Sequence, residues 1–256
     1  MNAAADDSAE LYLITLARHM QSDDVVHVGA SQMDVWQAAE VARRLWAPGL
    51  RLVAAGTYIL GTGSSTALLR SRTYARDLIA ARQATFTQSR VFDDLHRTRV
   101  VFAGGLQVDQ RGNANLIGFM NGERYVRGPG SAGLPTLTSH AERFFIAMPW
   151  HGKRALIGKV DRISVLGDPV ARAAMGLPAN SLQEVITPLA SFRPGPGGLE
   201  LISTSPGVSL ADVQAHTGFE LCAHADCRER PAITADEHSA LAQVRAGTPI
   251  TSRRHA

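Results

Sequence analysis

Apolar positions recur along this chain in two periods. Residues 8–20 (SAELYLITLARHM) and 33–45 (MDVWQAAEVARRL) carry them at helical spacing, with Asp7 or Ser8 placed to cap the first run and Pro48 closing the space after the second. Shorter apolar runs flank them: residues 24–28, closed by Gly29-Ala30-Ser31, and residues 50–55, followed by Gly56. Strand, helix, strand with short connections predicts a parallel βαβ unit. Residues 100–103, 144–148 and 155–158 predict further strands, with shorter ones at 185–186 and 199–203 around the turn-rich Pro194-Gly195-Pro196-Gly197-Gly198. Residues 90–97 read as a short helix, and 210–216 as a final one introduced by Pro206-Gly207. Residues 126–135 (VRGPGSAGLP) read as a glycine-rich loop able to turn backbone N–H groups toward an anion. The Gly61-Thr62-Gly63-Ser64-Ser65 stretch has neither the spacing nor the lysine of a phosphate-binding loop, so it reads as a plain loop. The pattern predicts one α/β domain over residues 1–256, with a core at 8–221, a C-terminal extension at 222–256, and a small antiparallel extension of the sheet.

Composition narrows this only modestly. The 256 residues are 45% hydrophobic and 19% charged, the balance of a globular chain with ample core. No apolar run approaches the roughly 20 residues of a membrane helix, and the first ten residues lack the basic and apolar regions of a secretory signal. A cytoplasmic protein is the expectation. The net charge of +3 comes from scattered arginines, since Lys153 and Lys159 are the only lysines. Scattered charge argues against nucleic acid as a partner and suits a phosphate-bearing ligand. Cys222 and Cys227 lie near His224, Asp226 and His238, but their spacing matches no paired zinc motif, so no metal is expected.

The chemistry concentrates in residues 104–115. The apolar run 100–103 leads into Gly104-Gly105-Leu106-Gln107-Val108-Asp109-Gln110-Arg111-Gly112-Asn113-Ala114-Asn115. Gln107, Asp109, Asn113 and Asn115 supply donors and acceptors at a strand end, where open α/β sheets place ligands. The alternative is an Asx-type turn whose polar groups cap one another.

The G-x-Q-V-D-x-x-G-N-x-N pattern of this stretch resembles a signature of the β subunits of family I coenzyme A transferases, of the glutaconate-transferase type. Other motifs follow in the family's order: Asp24–Gly29, Leu45-Trp46-Ala47-Pro48-Gly49-Leu50, Val91-Phe92-Asp93-Asp94-Leu95, His151-Gly152-Lys153-Arg154 with Lys159-Val160-Asp161, and Ser205-Pro206-Gly207-Val208 with Thr217-Gly218-Phe219-Glu220. The resemblance covers roughly residues 10 to 221. It implies a doubly wound α/β sheet with helices on both faces, an α-subunit partner in a hetero-oligomer, and an acyl-CoA substrate bound between subunits. Coenzyme A would enter as part of that substrate, with no separate cofactor. Gln107, Asp109, Asn113, Asn115, Gly128 and Ala132 are then the substrate- or CoA-binding candidates. Gly128-Pro129-Gly130-Ser131-Ala132-Gly133 resembles the family's G-x-G-G-A loop, where a main-chain N–H near Gly130 or Ser131 would face the thioester oxygen as an oxyanion donor.

One position departs from the family. Transferases of this branch attack the thioester with a glutamate a few residues after A-P-x-L, and here the ungapped register places Ala55 there. Alanine makes no covalent intermediate. Three readings follow from the resemblance. The first is a subunit whose partner supplies a carboxylate that activates water, as in the ring-opening CoA hydrolases sharing this fold. The second is a transferase subunit with another compensating residue, and the third a non-catalytic CoA-ester-binding subunit. His27, His96, His140 and His151 are alternative bases. His151, followed by Lys153 and Arg154, suits CoA phosphates best.

Overall fold

The computed structural model describes residues 3–28, 32–54, 57–60, 84–85 and 99–247. Two compact units form, one from residues 13–94 and 233–256, the other from residues 1–12 and 95–232. Helix α1 (Ala3–Arg18) supplies residues to both, and its buried side chains include Leu11, Tyr12, Ile14, Leu16 and Ala17.

In the first unit, β1 (Val25–Val28), α2 (Met33–Leu45) and β2 (Arg51–Ala54) make the predicted parallel βαβ unit, with Val25 opposite Arg51 and His27 opposite Val53. The α2 helix buries Val35, Trp36, Ala38, Ala39, Val41 and Ala42. Its Arg43 is buried too, donating to Glu40 Oε1 at 2.6 Å and to the Leu50 carbonyl at 3.0 Å, while the other Glu40 oxygen faces Arg44 at 3.6 Å, so the buried charge is paired. Strands β3 (Thr57–Leu60) and β4 (Ala84–Thr85) continue the sheet antiparallel.

The second unit contains the signature. Strand β5 (Val100–Ala103) is wholly buried, and the turn after it is built of two short strands, β6 (Gln107–Asp109) and β7 (Ala114–Asn115). A hairpin follows, β8 (Gly118–Asn121) and β9 (Arg124–Arg127), then α3 (Leu134–His140). The glycine-rich loop is therefore shorter than its sequence suggests: residues 124–127 pair with β8, and residue 134 already opens a helix. Strand β10 (Arg143–Ala147) runs parallel to β5, β11 (Leu156–Ile157) parallel to β6, and β12 (Leu182–Ile186), after α4 (Pro169–Ala174), parallel to β10. Strands β13 (Ala190–Gly195) and β14 (Gly198–Thr204) are antiparallel, so the Pro- and Gly-rich stretch read as a turn is mostly strand. Helix α5 (Leu210–His216) has a capping box between Ser209 and Asp212.

Strand β15 (Cys222–Glu229) lies at the sheet edge parallel to β14, and α6 (Ala235–Ala246) returns to the first unit. So 210–216 is not the last helix. Thr234 caps α6 against Glu237, whose carboxylate also takes both Nε and Nη2 of Arg18 at 2.8 and 2.7 Å. The core of the second unit joins Val101, Phe144, Ile146, Val185, Phe192 and Leu201 with Val108 and Ala114 of the signature turn. The residues read as the 61–65 loop and the 90–97 helix lie outside the described residues, as do Gly29-Ala30-Ser31.

Candidate active site

Parallel strands β5, β10 and β12 end at Ala103, Ala147 and Ile186, and the polar residues singled out in the sequence follow those ends. Their side chains turn inward. Gln107, Asp109, Asn113 and Asn115 are all buried. The Asp109 carboxylate accepts from the backbone N–H of Arg111 and Asn113 at 3.0 and 2.9 Å, from Asn113 Nδ2 at 3.2 Å and from Val160 N–H at 3.4 Å. Asn113 Oδ1 accepts from Gly167 and Asp168 N–H at 3.0 and 3.2 Å. Asn115 Nδ2 donates to Gln107 Oε1 at 3.2 Å and to the Gly118 carbonyl at 2.9 Å, while its Oδ1 accepts from Ile117 and Gly118 N–H at 2.9 and 3.3 Å. Gln107 Nε2 donates to the Arg154 carbonyl at 3.4 Å. Every side-chain oxygen and nitrogen of these four residues thus has a protein partner. Close approach adds to the polar bonds, since a side chain at Gly167 would collide with the Gly112 carbonyl.

What this network holds is the segment 115–118, and that segment holds the glycine loop. Leu116 N–H donates to Ser164 Oγ at 3.0 Å, fixing the strand from the other side. The Ile117 carbonyl accepts Gly128 N–H at 2.8 Å, and the Leu116 carbonyl accepts Gly130 N–H at 3.0 Å. A methyl group on Gly128 would strike the Leu116 carbonyl and the Leu106 side chain, which explains a glycine there. Gly130 sits at φ +91° and Ala132 at φ +45°, the one non-glycine residue at positive φ among the described residues.

The loop's donors then divide. The N–H groups of Gly128 and Gly130 are spent on carbonyls, whereas those of Ser131, Ala132 and Gly133 donate to nothing among the described residues. Ser131 and Gly133 are half-buried and Ala132 is exposed, so the unspent donors are within reach of a ligand. Of the two candidate donors, the Gly130 N–H is thus spent on the Leu116 carbonyl and the Ser131 N–H is open.

His151 lies elsewhere on the same end of the sheet. Its Nδ1 stands 2.8 Å from Thr187 Oγ1 and its Nε2 3.1 Å from Thr217 Oγ1. Burial, with His216 and Arg230 adding repulsion, lowers its pKa to about 4, so the ring is neutral. Both threonine hydroxyls also reach backbone carbonyls, Ala190 and Val213, each at 2.8 Å. A neutral ring has one accepting nitrogen, so one hydroxyl turns its hydrogen to the ring. The ring ties three loops together. Lys153 and Arg154 beside it are exposed, and His140, also exposed, folds back on the Thr136 carbonyl at 2.9 Å. His27 is buried in β1 with its pKa lowered by burial to about 4. Ala55 and His96 lie outside the described residues.

Sequence reading missed Ser164 and Tyr125, whose hydroxyls reach the segment 116–117 from distant positions. Nothing local marks Ser164. Tyr125 carried a signal in the alternation of residues 118–127 around Asn121-Gly122. No cluster of three His, Cys, Asp or Glu able to hold a metal occurs among the described residues, and none of their helices is long and apolar enough to cross a membrane.

No protein-family model matches the chain, and no curated protein sequence does. Solved structures do. The decarboxylase AibA/AibB superimposes with a TM-score of 0.76 at 24% identity, covering 93% of both chains. Glutaconate coenzyme A-transferase from Acidaminococcus fermentans gives a TM-score of 0.76 at 22% identity, again over 93% of each chain. IpdAB from Rhodococcus jostii RHA1 gives 0.71 at 22% identity, over 97% of this chain and 96% of that one. The α/β fold of this chain is thus the fold of the family I coenzyme A transferases, as the sequence motifs implied.

Proposed function

We propose that this chain is the β-type subunit of a heteromeric enzyme of the coenzyme A transferase fold, acting on an acyl-CoA thioester. The observation that carries the reading is the row of unspent N–H donors at Ser131, Ala132 and Gly133, in a loop whose Gly128 and Gly130 donors are tied down. Preorganised backbone donors stabilise the oxyanion that forms when a thioester carbonyl is attacked. They are set before substrate arrives, so no reorganisation is needed at the moment of reaction.

The attacking group comes from the partner. With Ala55 at the position of the family glutamate, we assign the carboxylate to the α-type subunit, acting as a general base on water without a covalent adduct. Transfer of CoA to a second carboxylic acid is the second reading, and likeness in fold to a glutaconate coenzyme A-transferase favours it. One of the matched structures is named a decarboxylase, so the fold itself does not fix the reaction.

Coexpression with the α-type chain, followed by an acyl-CoA panel with and without a carboxylate acceptor, separates the readings. Acceptor-independent thioester loss with no CoA adduct on either chain is the expected outcome. Acceptor-dependent exchange with a glutamyl-CoA adduct would replace water chemistry by transfer. Binding of CoA esters without turnover would leave a non-catalytic subunit.

A further inference from the structure

Arg172, on α4, is the bulkiest fully buried side chain among the described residues. A buried guanidinium ordinarily sits against a carboxylate, yet none lies within ion-pair reach of this one among the described residues. Burial pushes its pKa down with no acid opposing it. Its partners are three carbonyls from three segments. The Nε donates to Pro178 at 2.7 Å, Nη1 to Leu166 at 2.9 Å and Nη2 to Thr138 at 3.2 Å, while Cζ stands 5.1 Å from the centre of the Phe144 ring. One planar fork thus fixes three pieces of chain at set angles, which a lysine ammonium cannot do.

Two of those pieces lead to the site. Leu166 precedes Gly167, whose N–H is held by Asn113 Oδ1, so one arm of the fork grips the polar network. Thr138 lies in the last turn of α3, so another arm grips the helix into which the glycine loop runs. From there the bonds return to the loop. Thr138 Oγ1 donates to the Leu134 carbonyl at 2.8 Å, Leu134 N–H to the Ser131 carbonyl at 3.0 Å and Leu137 N–H to the Gly133 carbonyl at 2.9 Å. A peptide is planar with its C=O and N–H opposed, so holding the Ser131 carbonyl aims the Ala132 N–H. Ala132 also stands at φ +45°, a costly conformation that persists where neighbours impose it.

We infer that Arg172 is the positioning residue of the donor loop, locking α3 to the polar network so that the Ser131, Ala132 and Gly133 N–H groups stay aimed at the thioester oxygen. This rests on the reading that the loop holds an acyl-CoA thioester. Arg172 acts through α3 and has no contact with substrate. Its effect falls on the oxyanion, which gains its charge only as the carbonyl is attacked, and so shows in kcat and not in KM.

The test uses the full chain, ¹⁵N-labelled, assembled with its unlabelled α-type partner, and acetyl-, butyryl- and cyclohexanecarbonyl-CoA as probes. Arg172→Lys keeps the charge and gives up the fork. Leu201→Ala, a core truncation with β12 and β13 between it and β10, is the control. Arg172→Lys lowers kcat about tenfold, leaves KM within about twofold, and shifts the Ser131, Ala132 and Gly133 amides before any ligand is added. Leu201→Ala does none of this. Unshifted loop amides with an unchanged kcat in Arg172→Lys overturn the inference, leaving the proposed function standing and Arg172 as a strut of the core. Where Arg172→Lys yields no folded complex, the wild-type Arg172 Nε–H signal decides: movement with the loop amides on adding the probes supports the inference, and stillness overturns it. Wild-type loop amides silent with all three probes, without turnover, overturn the thioester reading and the role of Arg172 with it.

Discussion

Residues 107–118 and residues 128–133 lie side by side and divide the labour in opposite ways. The first stretch is rich in amides and carboxylates, buried, and satisfied atom by atom within the protein. The second has almost no side-chain chemistry, is partly open, and keeps three backbone donors unspent among the described residues. Conspicuous polar side chains here form a frame, and the residues with least to show keep the open donors. The physical reason is rigidity. A backbone donor can be aimed only if its peptide is held, and a glycine loop cannot hold itself, so the holding is done by neighbours with many hydrogen bonds to give.

The comparison breaks most severely at Asn115. It is fully buried and serves four partners, and Asn115→Ala leaves the Ile117 and Gly118 N–H groups without an acceptor. The expected cost is about 3 kcal/mol in urea unfolding. It comes with faster hydrogen exchange at Gly128 and Gly130, which an unrelated core lesion of equal size would not produce selectively.

Next is the contrast between two loop glycines. Gly128→Ala drives a methyl group into the Leu116 carbonyl and costs about 2 kcal/mol through the shift of the loop. Gly130→Ala meets open space and pays only for a positive φ, about 1 kcal/mol. Equal costs would show that the loop rests on the network less closely than described.

The acid response is smaller. His151 and His27 have folded pKa values lowered to about 4, against an ordinary 6.5. The unfolded chain therefore binds more protons below pH 6.5, and stability present above that pH is lost as the pH falls toward 4. His151→Gln flattens its share of the slope, about 1 kcal/mol after allowance for partial exposure, read from urea midpoints between pH 4.5 and 7.5. The smallest effect sharpens the other side: Ala132→Gly relieves the positive φ and stays within about 0.5 kcal/mol of wild type, the relief offset by a looser unfolded chain.

How far the sequence disclosed this follows the same division. Helix 33–45 is legible to the residue because its apolar positions recur at helical spacing, helix 210–216 because Pro206-Gly207 and the Ser209 cap mark its start, and the βαβ unit follows from short connections. The β8–β9 hairpin was readable only from its alternation around Asn121-Gly122, since its half-exposed apolar residues form no core run. Helix α6 escapes because it is strongly polar, its burial confined to Ala240, Leu241, Val244 and the Glu237 that meets Arg18. The signature turn was legible as a place where chemistry concentrates. Whether its amides face a ligand or one another depended on partners at Arg154, Val160 and Gly167, some fifty residues on, which no local pattern displays.

The most direct test of the division between frame and contact is an acetyl-CoA titration of the ¹⁵N-labelled full chain assembled with its unlabelled α-type partner, following backbone and side-chain amides together. The backbone signals of Ser131 and Ala132 move on binding, while the side-chain NH₂ signals of Gln107, Asn113 and Asn115 hold still. Movement of those side-chain signals with quiet loop amides would contradict the account and return the ligand to the signature residues.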